Sequence, residues 1–171
     1  TTSMTSADYF VMNLNVAATD TGYVGIEYDG TYQYSGGWSN YFSTYLYDVV
    51  VPDTIVSLPV VSTTPAGYTL QGFEDATFPP GDWQAISNNA SSSVTRSSTQ
   101  AYSGDYSARF SSFSSASDYT QYLVTKKFIP STGDSLTFWY RKSNSSTETF
   151  SVGVSTTDSD VASFTLGSGI T

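Results

Sequence analysis

The chain has neither cysteine nor histidine. Those two absences exclude a disulfide framework, cysteine nucleophiles, Ser-His-Asp catalysis and the usual zinc ligands. Long apolar runs are also missing. No stretch approaches the roughly 20 residues that cross a bilayer as a helix, so no membrane span is expected. No secretory leader is visible, and the sequence reads as mature material or a fragment. Basic residues are few, six Lys and Arg against 15 Asp and Glu, for a net charge of −9. A chain of that charge repels phosphate backbones, which argues against a nucleic-acid partner. The same acidity suits an extracellular protein and supplies carboxylate oxygens for hard cations. Carboxylate-pair or Ser-Lys chemistry remains available. However, Lys126, Lys127 and Lys142 each flank a strand-like run and read as solvated strand ends, and no acid pair stands out by spacing. The chain is not expected to be an enzyme.

What is abundant is aromatic and β-branched. Aromatics make up 16% of 171 residues, with 14 Tyr and 10 Phe, too many for a disordered tail. Short runs of Val, Thr, Tyr and Phe alternate with Gly, Ser, Asn, Asp and Pro, the pattern of an all-β protein. Strands are expected at Ser91–Ser98, Tyr106–Phe113, Gln121–Ile129, Ser135–Ser143 and Thr149–Thr157, followed by "VASFTLG". In the first third they are expected at Tyr9–Ala18, Gly22–Gly30 and Ser43–Pro52. Ser43–Pro52 should place Tyr45, Tyr47, Val49 and Val51 on one face. Residues 53–71 hold Pro59 and Pro65 among clustered Thr, directly after Pro52, and read as an extended linker.

The run "GFEDATFPPGDW" is followed in order by "AYSGDYSARF", "YLVTKKFIPSTGDSLTFWYRKS" and "ETFSVGVSTT". Together they resemble the choice-of-anchor J and cleaved-adhesin domains, whose jelly-roll β-sandwich is similar to that of MAM domains. The resemblance covers Gly72–Thr157. Departures are Asp82 inserted before Trp83 and Lys126-Lys127 where Thr-Pro is usual. Such a domain would continue beyond "VSTT" with strands that are similar to "YFVMNLNVAA", "GYVGIEYDG" and "TYLYDVVVP", all of which stand before Gly72. The resemblance therefore implies a circularly shifted copy: residues 1–52 as the end of one jelly roll, 53–71 as a linker, and 72–171 as the start of the next. The implied fold is an antiparallel jelly-roll sandwich shared between residues 72–171 and residues 1–52 of the same or a neighbouring chain.

Three arrangements follow: tandem repeats of one long polypeptide, separate subunits completing one another head to tail, or residues 1–52 folding back on 72–171. Tandem repeats are the commonest for surface domains and stand first. The expected function is a repeating unit of an extracellular or cell-surface adhesive fibre, with identical repeats or subunits as partners. The competing class is a secreted carbohydrate-binding module attached to an enzyme or surface protein, with glycans as partners.

The resemblance also implies a structural Ca²⁺ held by Glu74, Asp105 and Asp48. Tyr47 replaces the first of two acids usual in the last strand. Asp158 and Asp160 in "TTDSDVAS" resemble a cation loop, but Ser/Asp-rich turns are commonly just turns. Tyr32, Tyr34, Trp38 and Tyr41 in "TYQYSGGWSNYF" are the aromatic loop expected to contact a ligand or a neighbouring subunit. Asn89 and Asn144 begin Asn-X-Ser sequons and are candidate glycosylation sites.

Overall fold

The computed structural model describes residues 8–14, 22–30, 42–52, 68–89, 92–112, 119–130, 133–142 and 149–170. They form two antiparallel sheets packed as a β-sandwich, with no α-helix among them. In chain order the strands are β1 (Asp8–Asn13), β2 (Tyr23–Gly30), β3 (Phe42–Pro52), β4 (Tyr68–Gln71), β5 (Gln84–Ser87) and β6 (Thr95–Ser97). Then follow β7 (Ser107–Ser112), β8 (Tyr119–Val124), β9 (Ser135–Lys142), β10 (Thr149–Ser155) and β11 (Thr165–Leu166). One sheet runs β1-β9-β3-β7-β6, with β4 also paired to β3; the other runs β11-β10-β2-β8-β5.

Period-2 alternation explains how the sheets face each other. In β9, Leu136, Phe138 and Tyr140 are buried while Thr137, Trp139 and Arg141 are half-buried on the opposite face. The core joins both sheets: Tyr28 of β2 packs on Phe110 of β7, with ring centroids 5.7 Å apart, and Phe138 of β9 lies 6.0 Å from Phe150 of β10. Residues 72–83 plug one margin of this core. Phe73, only 1% exposed, meets Trp83 at 6.0 Å and Phe78 at 6.2 Å.

Two of the first three strands are central to this architecture, and β1 forms an edge beside β9. β2 lies between β10 and β8, and β3 between β9 and β7. Residues 8–52 thus build one sandwich with residues 68–170. β4 takes the last residues of the stretch read as a linker, pairing Tyr68 with Pro52 and Gln71 with Val49.

Several strands are shorter than their sequence pattern suggests. The run at 91–98 is strand only over Thr95–Ser97, because Ser92 turns inward to bond Ser111 O and Gln121. β8 ends at Val124, where Thr125 continues the contact with β2: the Val24 N–H donates to Thr125 Oγ1 at 3.0 Å, and the Thr125 N–H to Val24 O at 2.9 Å. The single-face pattern expected for Tyr45, Tyr47, Val49 and Val51 does not hold. A β-bulge lies between Tyr47 and Val50 where β3 meets β9. Before it Leu46, opposite Tyr140, points into the core; after it Val49 does. One extra residue resets the alternation.

Candidate functional site

The bulge aims Asp48 into a cleft at the margin of the six-stranded sheet. Asp48 has φ 46° and Phe73 φ 63°, the two non-glycine residues with positive φ among those described. Both border this cleft. Left-handed backbone costs free energy for a residue with a Cβ, least for Asp and most for a bulky side chain such as Phe. At Phe73 local bonds offset the cost: its N–H donates to Gln71 Oε1 at 2.6 Å, and Gln71 Nε2 donates to Asp75 Oδ2 at 3.2 Å.

Five oxygen-bearing side chains line the cleft: Asp48 from β3, Gln71 at the end of β4, Glu74 and Asp75 from the segment after it, and Ser103 from the β6–β7 turn. Ser103 Oγ donates to the Asp48 carboxylate, 2.7 Å from Oδ1 and 2.6 Å from Oδ2. Glu74 Oε1 accepts the N–H groups of Asp105 and Tyr106, each at 3.0 Å. This grip needs Gly104, since a Cβ there would sit 2.3 Å from Glu74 Oε1 and φ is 65°. Gly72 lies between the two acids: a Cβ on it would be 3.6 Å from Asp48 Oδ1 and 3.7 Å from Glu74 Cγ. Arg96 braces the same segment, with its guanidinium 3.3 Å from the Tyr106 ring centroid and Nη2 donating to Glu74 O at 3.4 Å.

The structure therefore gathers Asp48 and Glu74 in one cleft. Asp105 joins them through its backbone N–H, and its carboxylate is not among the lining groups. Among the described residues, no set of three or more Asp, Glu, His or Cys side chains has metal-binding geometry. The lining still offers the oxygen donors of a hard cation site: the Asp48, Glu74 and Asp75 carboxylates and the Ser103 hydroxyl, beside a Gln71 amide already bonded to Phe73 N–H and Asp75. Sequence reasoning missed Ser103 and Asp75 as lining groups. The Ser103-Gly104 turn was the available signal, because its glycine permits the close approach of Glu74.

Asp158 and Asp160 serve a turn. Asp158 Oδ1 accepts the Asp160 N–H at 3.0 Å, and Asp160 caps the short 3₁₀ turn Val161–Ser163 by accepting the Ala162 N–H at 3.0 Å. Asn89 is half-buried in the turn after β5, where its N–H donates to Ser87 Oγ at 3.1 Å. Tyr32, Tyr34, Trp38, Tyr41 and Asn144 lie outside the described residues.

The outer face of the six-stranded sheet carries a second cluster. Tyr102, 45% exposed, stacks on Trp139 at 4.5 Å, and Arg141 Nη1 donates to Gln100 Oε1 at 2.8 Å. These contacts fold the β6–β7 turn over Tyr45 and Tyr47, which are buried although they point away from the core. Burial holds the Tyr47 hydroxyl well above its usual pKa, partly offset by the positive charge of Arg141.

No curated protein and no solved structure matches the chain. No helix among the described residues is long and apolar enough to cross a membrane. The model of the Cleaved Adhesin Domain matches residues 65–168, from just before β4 to just past β11. With more than half of its length inside that match, the chain belongs to the cleaved adhesin domain family.

Proposed function

We propose that the chain is a repeating β-sandwich unit of an extracellular structural or adhesive fibre. The observation that carries this reading is the family match over residues 65–168. Strand pairing supports it. Outside the matched segment stand β1, β2 and β3; β2 and β3 fill central positions, one in each sheet, and β1 adds an edge strand beside β9, as the last strands of a jelly roll would. A unit whose first third completes a domain opened by its last two thirds is suited to joining copies in series.

Within that reading the Asp48–Glu74 cleft would hold Ca²⁺ as a structural ion. Asp48, Glu74 and Ser103 would supply oxygen ligands, and the ion would neutralise two acids held close to each other. Two strained backbone positions beside one oxygen-lined cleft support a selected role for that geometry.

The test is the mass of the polypeptide from its native source, denatured and deglycosylated. A repeating unit predicts either a mass several times the 18.4 kDa of this sequence or an 18.4 kDa chain that is multimeric under native conditions. An 18.4 kDa chain that stays monomeric at native surface concentrations would contradict the reading.

A further inference from the structure

The described strands within residues 8–52 form no sheet with one another. β1 pairs with β9, β2 with β10 and β8, and β3 with β9, β7 and β4; none of these three strands pairs with another of them. The remainder cannot make either sheet alone. Without β2, the pair β10–β11 is separated from the pair β5–β8. Without β3, β4 is left unpaired and β9 is separated from the pair β6–β7. The donated residues are also core residues: Val24, Ile26, Tyr28, Leu46 and Val49 are each fully buried. Residues 8–52 thus act as a three-strand insert into a scaffold made by residues 68–170.

We propose that this insert exchanges between copies, so that β1–β3 of one chain complete the sandwich of the next. The proposal rests on the reading of the chain as a repeating unit and names the partner: a second copy, accepting residues 8–52. Exchange replaces every strand pair and core contact with an identical one, so the closed and exchanged forms differ only in their connections. The connection between Pro52 and Tyr68, residues 53–67, is far longer than the two to five residues usual for antiparallel neighbours. Extended, it would reach roughly 50 Å, more than the width of a small sandwich.

The family match points the same way. It opens at residue 65 beside β4, and leaves β1–β3 outside. The match thus falls on the scaffold strands alone. The cleft is built across the same seam: Asp48 comes from the insert, whereas Glu74 and Ser103 come from the scaffold. In an exchanged assembly that cleft joins two copies, and a cation in it would rivet them together.

The competitor is self-insertion. A tether of this length gives an effective concentration on the order of 1 mM, so exchange should dominate only when chains are packed to that density, as in a fibre. Val11 and Thr137 stand directly opposite each other on β1 and β9, with Val11 51% exposed, and the chain has no native cysteine. The full chain carrying Val11→Cys and Thr137→Cys would be unfolded, refolded at graded concentrations up to about 1 mM, oxidised, and separated under denaturing, non-reducing conditions.

The expected result is a ladder of disulfide-linked multimers whose share rises with concentration to about half near 1 mM. The linking peptides should join positions 11 and 137 of different chains. Only intrachain links at 1 mM would overturn the proposal, and would do so without touching the fibre reading, which the native mass decides. Asn13→Cys with Ser135→Cys, the next pair on the same face, repeats the measurement if the first variant folds poorly.

Discussion

The Ser103 hydroxyl lies 2.7 Å from one oxygen of the Asp48 carboxylate and 2.6 Å from the other, across 55 positions of sequence. It ties the bulge of β3 to the turn between β6 and β7. Because the acceptor is charged, this bond is stronger than a neutral one, although solvent reaches it. Ser103→Ala should therefore lower stability by about 1 kcal/mol, read as a lower urea midpoint at unchanged slope. An unchanged midpoint would mean that the tie contributes nothing.

A cation in the cleft predicts a ligand-linked rise in stability. At a few millimolar Ca²⁺, a site of extracellular-module affinity would add about 1–2 kcal/mol relative to chelator. That corresponds to a rise in melting temperature of several degrees for a chain of this size. The variant Asp48→Asn with Glu74→Gln should fold and melt at the same temperature with Ca²⁺ or chelator. Equal melting of the unaltered chain in both would remove Ca²⁺ from the account.

Tyr28 offers a stabilising substitution. Its ring is fully buried against Phe110, and its hydroxyl has no hydrogen-bond partner among the described residues. A buried unpaired hydroxyl costs about 1–3 kcal/mol of desolvation. Tyr28→Phe removes that cost and leaves the ring contacts in place, so its melting temperature should rise by about 2–4 °C for each kcal/mol removed. A fall would show that the hydroxyl is satisfied in solution.

Three tyrosines predict the alkaline limit. Tyr47 is raised by burial, Tyr68 by its hydrogen bond to Asp134 Oδ1 at 2.8 Å, and Tyr140 by burial with the Asp8 charge adding to it. Each holds its proton more tightly folded than unfolded. Their contribution is complete below about pH 10, the unfolded value, and is lost as pH rises through the folded values. Stability should thus fall above about pH 10, and Tyr47→Phe should flatten that fall. A pH-independent melting temperature from 9 to 11 would contradict it.

Much of this architecture was legible in the sequence, for local reasons. Leu136, Phe138 and Tyr140 alternate with Thr137, Trp139 and Arg141, so the existence of β9 follows from period 2, while Trp139 gives both faces apolar bulk and leaves the inward face to the structure. β3 defeated the same rule, because its bulge depends on Asp48 adopting positive φ, which no hydropathy pattern reports. The strand expected over 91–98 begins late, at Thr95, for a tertiary reason: Ser92 is drawn inward by Gln121, a partner 29 positions away. At the cleft, the family motif named Glu74, Asp48 and the turn around Gly104, three features that line one cleft in the structure. It did not reveal that Asp105 contributes a backbone N–H, since main-chain donors leave no mark in residue type.

The central claim is that residues 8–52 supply strands without which residues 68–170 do not fold. Residues 53–67 hold no lysine or arginine, so a protease site inserted there gives a single controlled cut. Native and denaturing mass spectrometry of the cut protein tests the claim most directly. The account predicts one folded 1:1 complex of two fragments that separate only on unfolding. A C-terminal fragment that dissociates and stays folded alone would contradict it.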